Sequence, residues 1–325
     1  MLNILVTCPP MIKQINNYVD LFKKHNLNVV CPKFKQTLSE NELINIVPNY
    51  DGWIIGDDEV TFKILNIGKK GKLRALVKWG VGVDNIDFDA CKKLELPITN
   101  IPNAFGEEVS DVAIGYLLCL TRQLHNIDNA TKNGNWVKPC GESLSNKKCC
   151  LVGFGDIGRC VARKLLAFNL NVYVSDPGFT QNKESHKIDC KYNLNISLNS
   201  NLEKVFIKSL DECVKNCDYI IITCSLNKST YGLINKKLML LANKGVKIIN
   251  VSRGPVINEN DLIELLKSGH IDSVGLDVFC EEPVNKNSEL LGFKKCIFGS
   301  HNGSNTIEAV NNTSIKAIDY MVGFL

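Results

Sequence analysis

The chain lacks any apolar run approaching the roughly 18 residues of a membrane span. Its amino terminus, MLNILVTCPP, has an apolar stretch too short and too uncharged for a secretory leader. Both absences lead us to expect a cytoplasmic protein with no membrane partner. No paired C-x-x-C motif occurs, which removes the usual signature of a zinc site. No block of like charge stands out: the formal net charge of +4 is spread along 325 residues, and nothing in it calls for nucleic acid.

What the chain does have is cysteine, fourteen in all. Cys119, Cys149, Cys150, Cys160 and Cys224 sit inside apolar segments rather than at regular loop spacings, the pattern of buried reduced thiols. Cys213 and Cys217 are spaced to share a helical face, yet no second Cys or His pair accompanies them, so no metal is expected. A hydrophobic fraction of 45% and a charged fraction of 22% are those of a globular protein, and the length suggests two domains.

The first hundred residues alternate short apolar runs (NILVTC, LNVVCP, DGWIIGD, ALVKWGVGVD, LPITNIP) with stretches of helical length, a βα repeat. Val109 to Leu124 is apolar almost all round at helical spacing and predicts a long buried helix, of the kind that bridges domains or packs on a partner chain. From Lys147 a second series begins: KKCCLVGF, NVYVSD, DYIIIT, VKIINVS, SVGLDVF and CIFGS. Between its members, Asn182 to Glu203 is rich in Asn, Lys and Ser and reads as a surface excursion. The last stretch, Thr306 to Leu325, is amphipathic and can return to the first domain. The predicted fold class is α/β, with two Rossmann-like doubly wound parallel-sheet domains. Residues 1–100 and 299–325 form a discontinuous substrate domain, and 101–298 form the cofactor domain.

Gly153, Gly155 and Gly158 make G-F-G-D-I-G directly after CCLV and before a helix with Ile157, Val161, Leu165 and Phe168 on one face. In such a loop the first glycine permits the turn, the second lets backbone approach a pyrophosphate, and the third lets the helix pack on the sheet. The helix N-terminus then offers N–H groups to phosphate. Asp176 ends the next run, about 20 residues on, where a carboxylate accepts hydrogen bonds from the ribose hydroxyls of NAD. A 2′-phosphate would be repelled there, and the loop DPGFTQN holds no arginine, so NAD is expected rather than NADP.

Arg253, Glu282 and His301 lie in IINVSRG, SVGLDVFCEEP and IFGSHNGSNT, each just after an apolar run. In a parallel sheet, loops at the carboxyl ends of neighbouring strands gather around one ligand. A cation, a carboxylate and an imidazole in such loops suit proton transfer on an anionic substrate.

These motifs, with KWGVGVDNID, NIPNAFGEEVSDVAIGYLLCLTR, STYGLIN and SHNGSNTIEA, resemble the D-isomer-specific 2-hydroxyacid dehydrogenases along nearly the whole chain. Within that family the sequence looks most like the short phosphoglycerate dehydrogenase-like branch, without a C-terminal regulatory domain. The resemblance implies an NAD-dependent enzyme interconverting a D-2-hydroxy acid and its 2-keto acid. It assigns His301 as proton donor and acceptor, Glu282 as the group that raises and orients the imidazole, and Arg253 as the clamp on the substrate carboxylate. It implies cofactor contacts at Asp156, Ile157, Thr223, Cys224 and Val251, and at Asp277 for the nicotinamide amide. Val81 and Gly82 would offer backbone N–H groups to the substrate carboxylate. Lys78 is a candidate for a distal anionic group, or a solvated strand-end lysine. A homodimer with the helix from Val109 at its interface is implied as well.

The sequence departs from the family at Ser300, where proline usually precedes the histidine, and at Thr223 and Ser225. Asp57, Asp58 and Glu59 stand where phosphoglycerate enzymes tend to carry an arginine, and they would repel phosphate. Glyoxylate and hydroxypyruvate therefore stay open as substrates beside phosphoglycerate. Some relatives use the fold to sense NAD(H) and recruit protein partners, which is the alternative role.

Overall fold

A computed structural model describes residues 1–33, 36–180 and 204–325. It divides into two compact units, Met1–Phe105 with Ser304–Leu325, and Gly106–Gly303.

The first unit is built on β1 (Leu2–Val6), β2 (Leu27–Val30), β3 (Gly52–Ile55), β4 (Ala75–Lys78) and β5 (Ile98–Thr99). All pair in parallel in the order β2-β1-β3-β4-β5, so the winding reverses between β1 and β3. Parallel strands carry helices on both faces, which is why they read as continuous apolar runs rather than alternating ones. Trp53, Ile54 and Ile55 of β3 are completely buried. The C-terminal helix Ile307–Phe324 belongs to this unit, burying Ala317, Ile318 and Met321. It approaches β3 at Gly52, where a Cβ would stand 2.5 Å from the Met321 sulfur. Trp79 Nε1 donates to Ser314 Oγ at 3.1 Å on the same helix. The chain thus leaves this unit and returns to it.

The second unit holds β6 (Lys148–Val152), β7 (Asn171–Ser175), β8 (Val205–Ile207), β9 (Tyr219–Ile222), β10 (Val246–Asn250), β11 (Ile271–Leu276) and β12 (Ile297–Phe298). They form one parallel sheet in the order β12-β11-β10-β9-β6-β7-β8, with its reversal between β6 and β9. The doubly wound α/β class expected from the sequence is the observed one. Full burial of each core Val, Leu or Ile contributes about 1.5–3 kcal/mol. Val152, Ile220, Ile222, Ile248 and Val274 are all buried in one cluster.

Three expectations shift. The units part at Phe105/Gly106 and Gly303/Ser304 rather than at 100/101 and 298/299. Phe105 stays with the first unit because its ring lies against Trp79, with centroids 5.5 Å apart. Residues 299–303 stay with the second because the His301 and Gly303 N–H groups donate to Asp277. The helix expected to run to Leu124 spans Gly106–Arg122 and breaks at Gln123, whose φ of 53° is left-handed, before a further helix, Leu124–Lys132. It buries Val109, Ala113, Leu117 and Leu120 as a stripe rather than all round. Cys149, Cys150, Cys213 and Cys217 are buried free thiols, as expected, but Cys119, Cys160 and Cys224 are half-buried. The stretch Asn182 to Glu203 lies outside the described residues.

Candidate active site

β6 runs into the glycine loop, and the helix Asp156–Ala167 starts inside it. Gly153 has φ 95°, and a Cβ on it would stand 2.6 Å from the Cys224 nitrogen. A Cβ on Gly158 would stand 2.3 Å from the Gly153 carbonyl oxygen, so the helix can approach the loop only with glycine there. Around Gly155 nothing beyond its chain neighbours lies within 4 Å of the Cβ position among the described residues, which leaves space against the backbone. Asp156 turns its carboxylate towards Gly106, whose Cβ would stand 2.6 Å from Oδ2. That oxygen is buried with no hydrogen-bond partner among the described residues. The Asp156 and Ile157 N–H groups open the helix, where backbone donors lack intrahelical acceptors.

Asp176 follows β7, and both its oxygens are engaged: Oδ2 accepts the Phe154 N–H at 2.7 Å and Oδ1 the Gly178 N–H at 2.8 Å. It therefore holds the glycine loop in place, a role the sequence did not reveal. Each carboxylate oxygen has a second lone pair, so the ribose role fits alongside. Thr223, after β9, donates its hydroxyl to the Gly153 carbonyl at 3.0 Å and knits the two strand ends together. Cys224 is half-buried, and burial pushes its thiol up to about 11. Val251 is buried and its N–H donates to Ile222.

The turn after β10 carries Arg253. Asn250, fully buried, shapes it: Oδ1 accepts the Ser252 N–H at 3.0 Å and hydroxyl at 2.9 Å, and Nδ2 donates to the Arg253 carbonyl at 2.9 Å. Gly254 follows because a Cβ there would stand 2.0 Å from the Phe279 carbonyl carbon. The Asn250 carbonyl accepts the Asp277 N–H at 3.0 Å, linking the β10 turn to the end of β11.

Glu282 and His301 are in direct contact. Glu282 Oε1 accepts the Phe279 N–H at 2.9 Å, and Oε2 lies 2.7 Å from His301 Nδ1. With Nδ1 occupied by a carboxylate, the ring's orientation is fixed and Nε2 is the nitrogen left facing away from Glu282. About 35% of each side chain is exposed, so solvent reaches the pair. Asp277 is buried; Oδ1 accepts the Tyr116 hydroxyl at 3.0 Å and Oδ2 the Gly303 N–H at 2.9 Å. A nicotinamide amide would have to share oxygens already in use.

Glycine loop, acidic β7 terminus and histidine–glutamate pair thus stand at the carboxyl edge of one sheet. Residues 114–303, more than half of the chain, match the family model described as D-isomer specific 2-hydroxyacid dehydrogenase, NAD binding domain. The chain belongs to the D-isomer specific 2-hydroxyacid dehydrogenases. Its second unit carries that family's NAD binding domain, and NAD is the cofactor. The chain is 31% identical over 296 residues to D-3-phosphoglycerate dehydrogenase of Sus scrofa, covering 89% of itself and 52% of that protein. It therefore spans about half the length of that relative. It is 30% identical over 304 residues to hydroxypyruvate reductase of Thermotoga maritima, covering 92% and 91%. Among solved structures, D-lactate dehydrogenase of Aquifex aeolicus, complexed with NAD and lactic acid, shares the fold at a TM-score of 0.80 and 23% identity, over 99% and 95% of the two chains.

In the first unit, Lys78 ends β4 as a buried side chain rather than a solvated one. Its Nζ donates to the Gly56 carbonyl and to Asp57 Oδ1, the latter at 3.1 Å. Asp58 is also buried, accepting the Leu38 N–H at 2.9 Å, and burial pushes its carboxyl up. The acidic stretch is thus no row of three outward charges: Asp57 is paired, Asp58 faces inward, and only Glu59 is exposed without such a tie among the described residues. Val81 and Gly82 are half-buried in the following loop, and the Val81 carbonyl accepts Asn100 Nδ2 at 2.9 Å. Sequence reasoning missed Asn250 and Tyr116. A polar residue closing the run KIIN was a usable signal for the first; for Tyr116, one side chain in an apolar helix, there was none.

Proposed function

We propose that this dehydrogenase reduces a small 2-keto acid to a D-2-hydroxy acid, and catalyses the reverse oxidation, with His301 as the proton donor and acceptor. The observation that carries this reading is the Glu282 carboxylate on His301 Nδ1, on the sheet edge that also bears the glycine loop. NADH, when bound, supplies the hydride to the carbonyl carbon. Gly153, Gly155, Gly158 and the Asp156 and Ile157 N–H groups would hold its pyrophosphate, and Asp176 its ribose; Thr223, Cys224, Val251 and Asp277 complete its surroundings.

Arg253 meets the substrate carboxylate with its planar fork and polarises the adjacent carbonyl. His301 delivers its Nε2 proton to the carbonyl oxygen as the hydride arrives, leaving a neutral imidazole and the hydroxy acid. In the oxidative direction the neutral ring takes the hydroxyl proton back. Val81 and Gly82 are proposed as further contacts for the carboxylate. Because Asp57 neutralises Lys78, the first unit has no spare cation in that pair for a distal phosphate. Glyoxylate and hydroxypyruvate are accordingly preferred to 3-phosphohydroxypyruvate. A homodimeric assembly is proposed from the family resemblance, and a cytoplasmic location from the sequence expectation.

The test is NADH oxidation by the purified protein with glyoxylate, hydroxypyruvate and 3-phosphohydroxypyruvate. Turnover of the first two, at kcat/KM about tenfold or more above the third, supports the reading, tenfold being the effect of about 1.4 kcal/mol. No oxidation with any 2-keto acid overturns it in favour of a protein that only senses the cofactor.

A further inference from the structure

We propose that Tyr116 is a positioning residue for His301, acting through the buried carboxylate of Asp277. The proposal rests on the reading of His301 as proton donor.

Two glycines make the slot through which Tyr116 reaches. The helix Gly106–Arg122 crosses β11 at Gly275, where a Cβ would stand 2.8 Å from Tyr116 Cβ. Farther along the ring lies Gly299, just after β12, where a Cβ would stand 2.1 Å from the Tyr116 hydroxyl and 2.2 Å from Asp277 Oδ1. Any other residue at 299 would displace the phenol from the carboxylate. With glycine at both positions the hydroxyl donates to Asp277 Oδ1 at 3.0 Å. Burial and the neighbouring Asp277 charge hold the phenol well above its ordinary range, so it stays a donor at any working pH.

Asp277 grips the segment that carries His301 at two points. Its carbonyl accepts the His301 N–H at 2.7 Å, and its Oδ2 accepts the Gly303 N–H at 2.9 Å. The grip matters because His301 has φ 54°, a left-handed conformation. Such a conformation costs a non-glycine residue roughly 1–2 kcal/mol and persists only where surrounding contacts impose it. A buried carboxylate oxygen must itself be satisfied. Apart from Tyr116, Oδ1 meets the Asn302 N–H only at 3.4 Å. Without the hydroxyl, the carboxylate turns to find another donor, the hold on Gly303 slackens, and the imidazole drifts from Glu282 Oε2.

The experiment is Tyr116→Phe in the full chain, which keeps the ring and removes only the donor. We expect kcat for 2-keto acid reduction to fall about tenfold, the scale of loss when a reacting group is slightly misplaced. KM for the keto acid stays within about twofold, inside the scatter of surface substitutions, and the NADH dissociation constant, read by nucleotide fluorescence, shifts by less than kcat because the glycine-loop and Asp176 contacts are untouched. The alkaline limb of the kcat profile moves to lower pH, because an imidazole that has lost Glu282 gives up its proton more readily. Incorporating 4-aminophenylalanine at 116, which restores a donor on the same ring, recovers kcat. A wild-type kcat and pH profile in Tyr116→Phe, or no recovery with the amino analogue, overturns the proposal. If Tyr116→Phe fails to fold, Asp277→Asn reads the contact from the other side, and an unchanged alkaline limb there overturns it equally. Activity surviving in His301→Ala would instead sink the proton-donor reading on which the proposal rests.

Discussion

His301 Nδ1 and Glu282 Oε2 stand 2.7 Å apart, and the other Glu282 oxygen is tied to the Phe279 N–H at 2.9 Å. The carboxylate is thus held at both ends and cannot swing away from the ring without breaking a backbone contact. In the proposed mechanism the imidazolium donates in the reductive direction, and this carboxylate is the group that would hold that form in place.

Glu282→Gln keeps the shape and removes the charge. The imidazolium then loses its proton at lower pH, so reductive activity, which needs that proton, falls away at lower pH as the solution is made alkaline. The limb should move acid-ward, because the imidazolium has lost the negative charge beside it. A kcat–pH profile of Glu282→Gln superimposable on wild type would contradict the pairing.

Arg253 sits on a turn fixed by Asn250, so its backbone position does not depend on substrate. Arg253→Ala should lower kcat/KM for the keto acid by about ten- to a hundredfold, the value of a charge-assisted hydrogen bond of 1.5–3 kcal/mol. NADH affinity should be preserved. Arg253→Lys should recover only part of the loss, because an ammonium lacks the two-pronged geometry. Full recovery with lysine would argue against a bidentate clamp.

Much of this was legible in the sequence. Parallel strands buried on both faces leave continuous apolar runs, which marked eleven of the strands, and glycines forced by close approach marked the cofactor loop. What escaped depends on contacts between distant residues. β8 is Val205–Ile207, a run set between Lys204 and Lys208 directly after the Asn/Lys/Ser-rich stretch, with no turn signal to set it apart. The helix break at Gln123 is a single left-handed residue in an otherwise periodic stretch. Lys78, read as facing a distal anion or solvent, and Asp57, read as repelling phosphate, are 21 positions apart and satisfy one another once β3 and β4 pair. Tyr116 and Asp277, separated by 161 positions, meet only because two glycines clear the way.

The thiols report on the cofactor site without any turnover. Among the described cysteines, Cys140 and Cys280 are exposed and Cys149 and Cys150 are buried, while burial pushes both Cys280 and the half-buried Cys224 up to about 11. Iodoacetamide reacts with the thiolate. At neutral pH, peptide mapping should therefore find Cys140 labelled first, Cys224 slowly and faster as pH rises towards 11, and Cys149 and Cys150 only after unfolding. Saturating NADH should protect Cys224 and leave Cys140 unaffected. Equal labelling of Cys224 with and without NADH would remove it from the cofactor's surroundings.

The most direct test of the account is His301→Ala, assayed in parallel for 2-keto-acid-dependent NADH oxidation and for NADH binding by fluorescence. Removing the proton donor should cut kcat by about 10²–10⁴-fold, the usual contribution of general acid catalysis. NADH affinity should stay near wild type. Turnover that survives the substitution, or a loss of NADH binding as large as the loss of turnover, would contradict the assignment of His301 as the group that carries the proton.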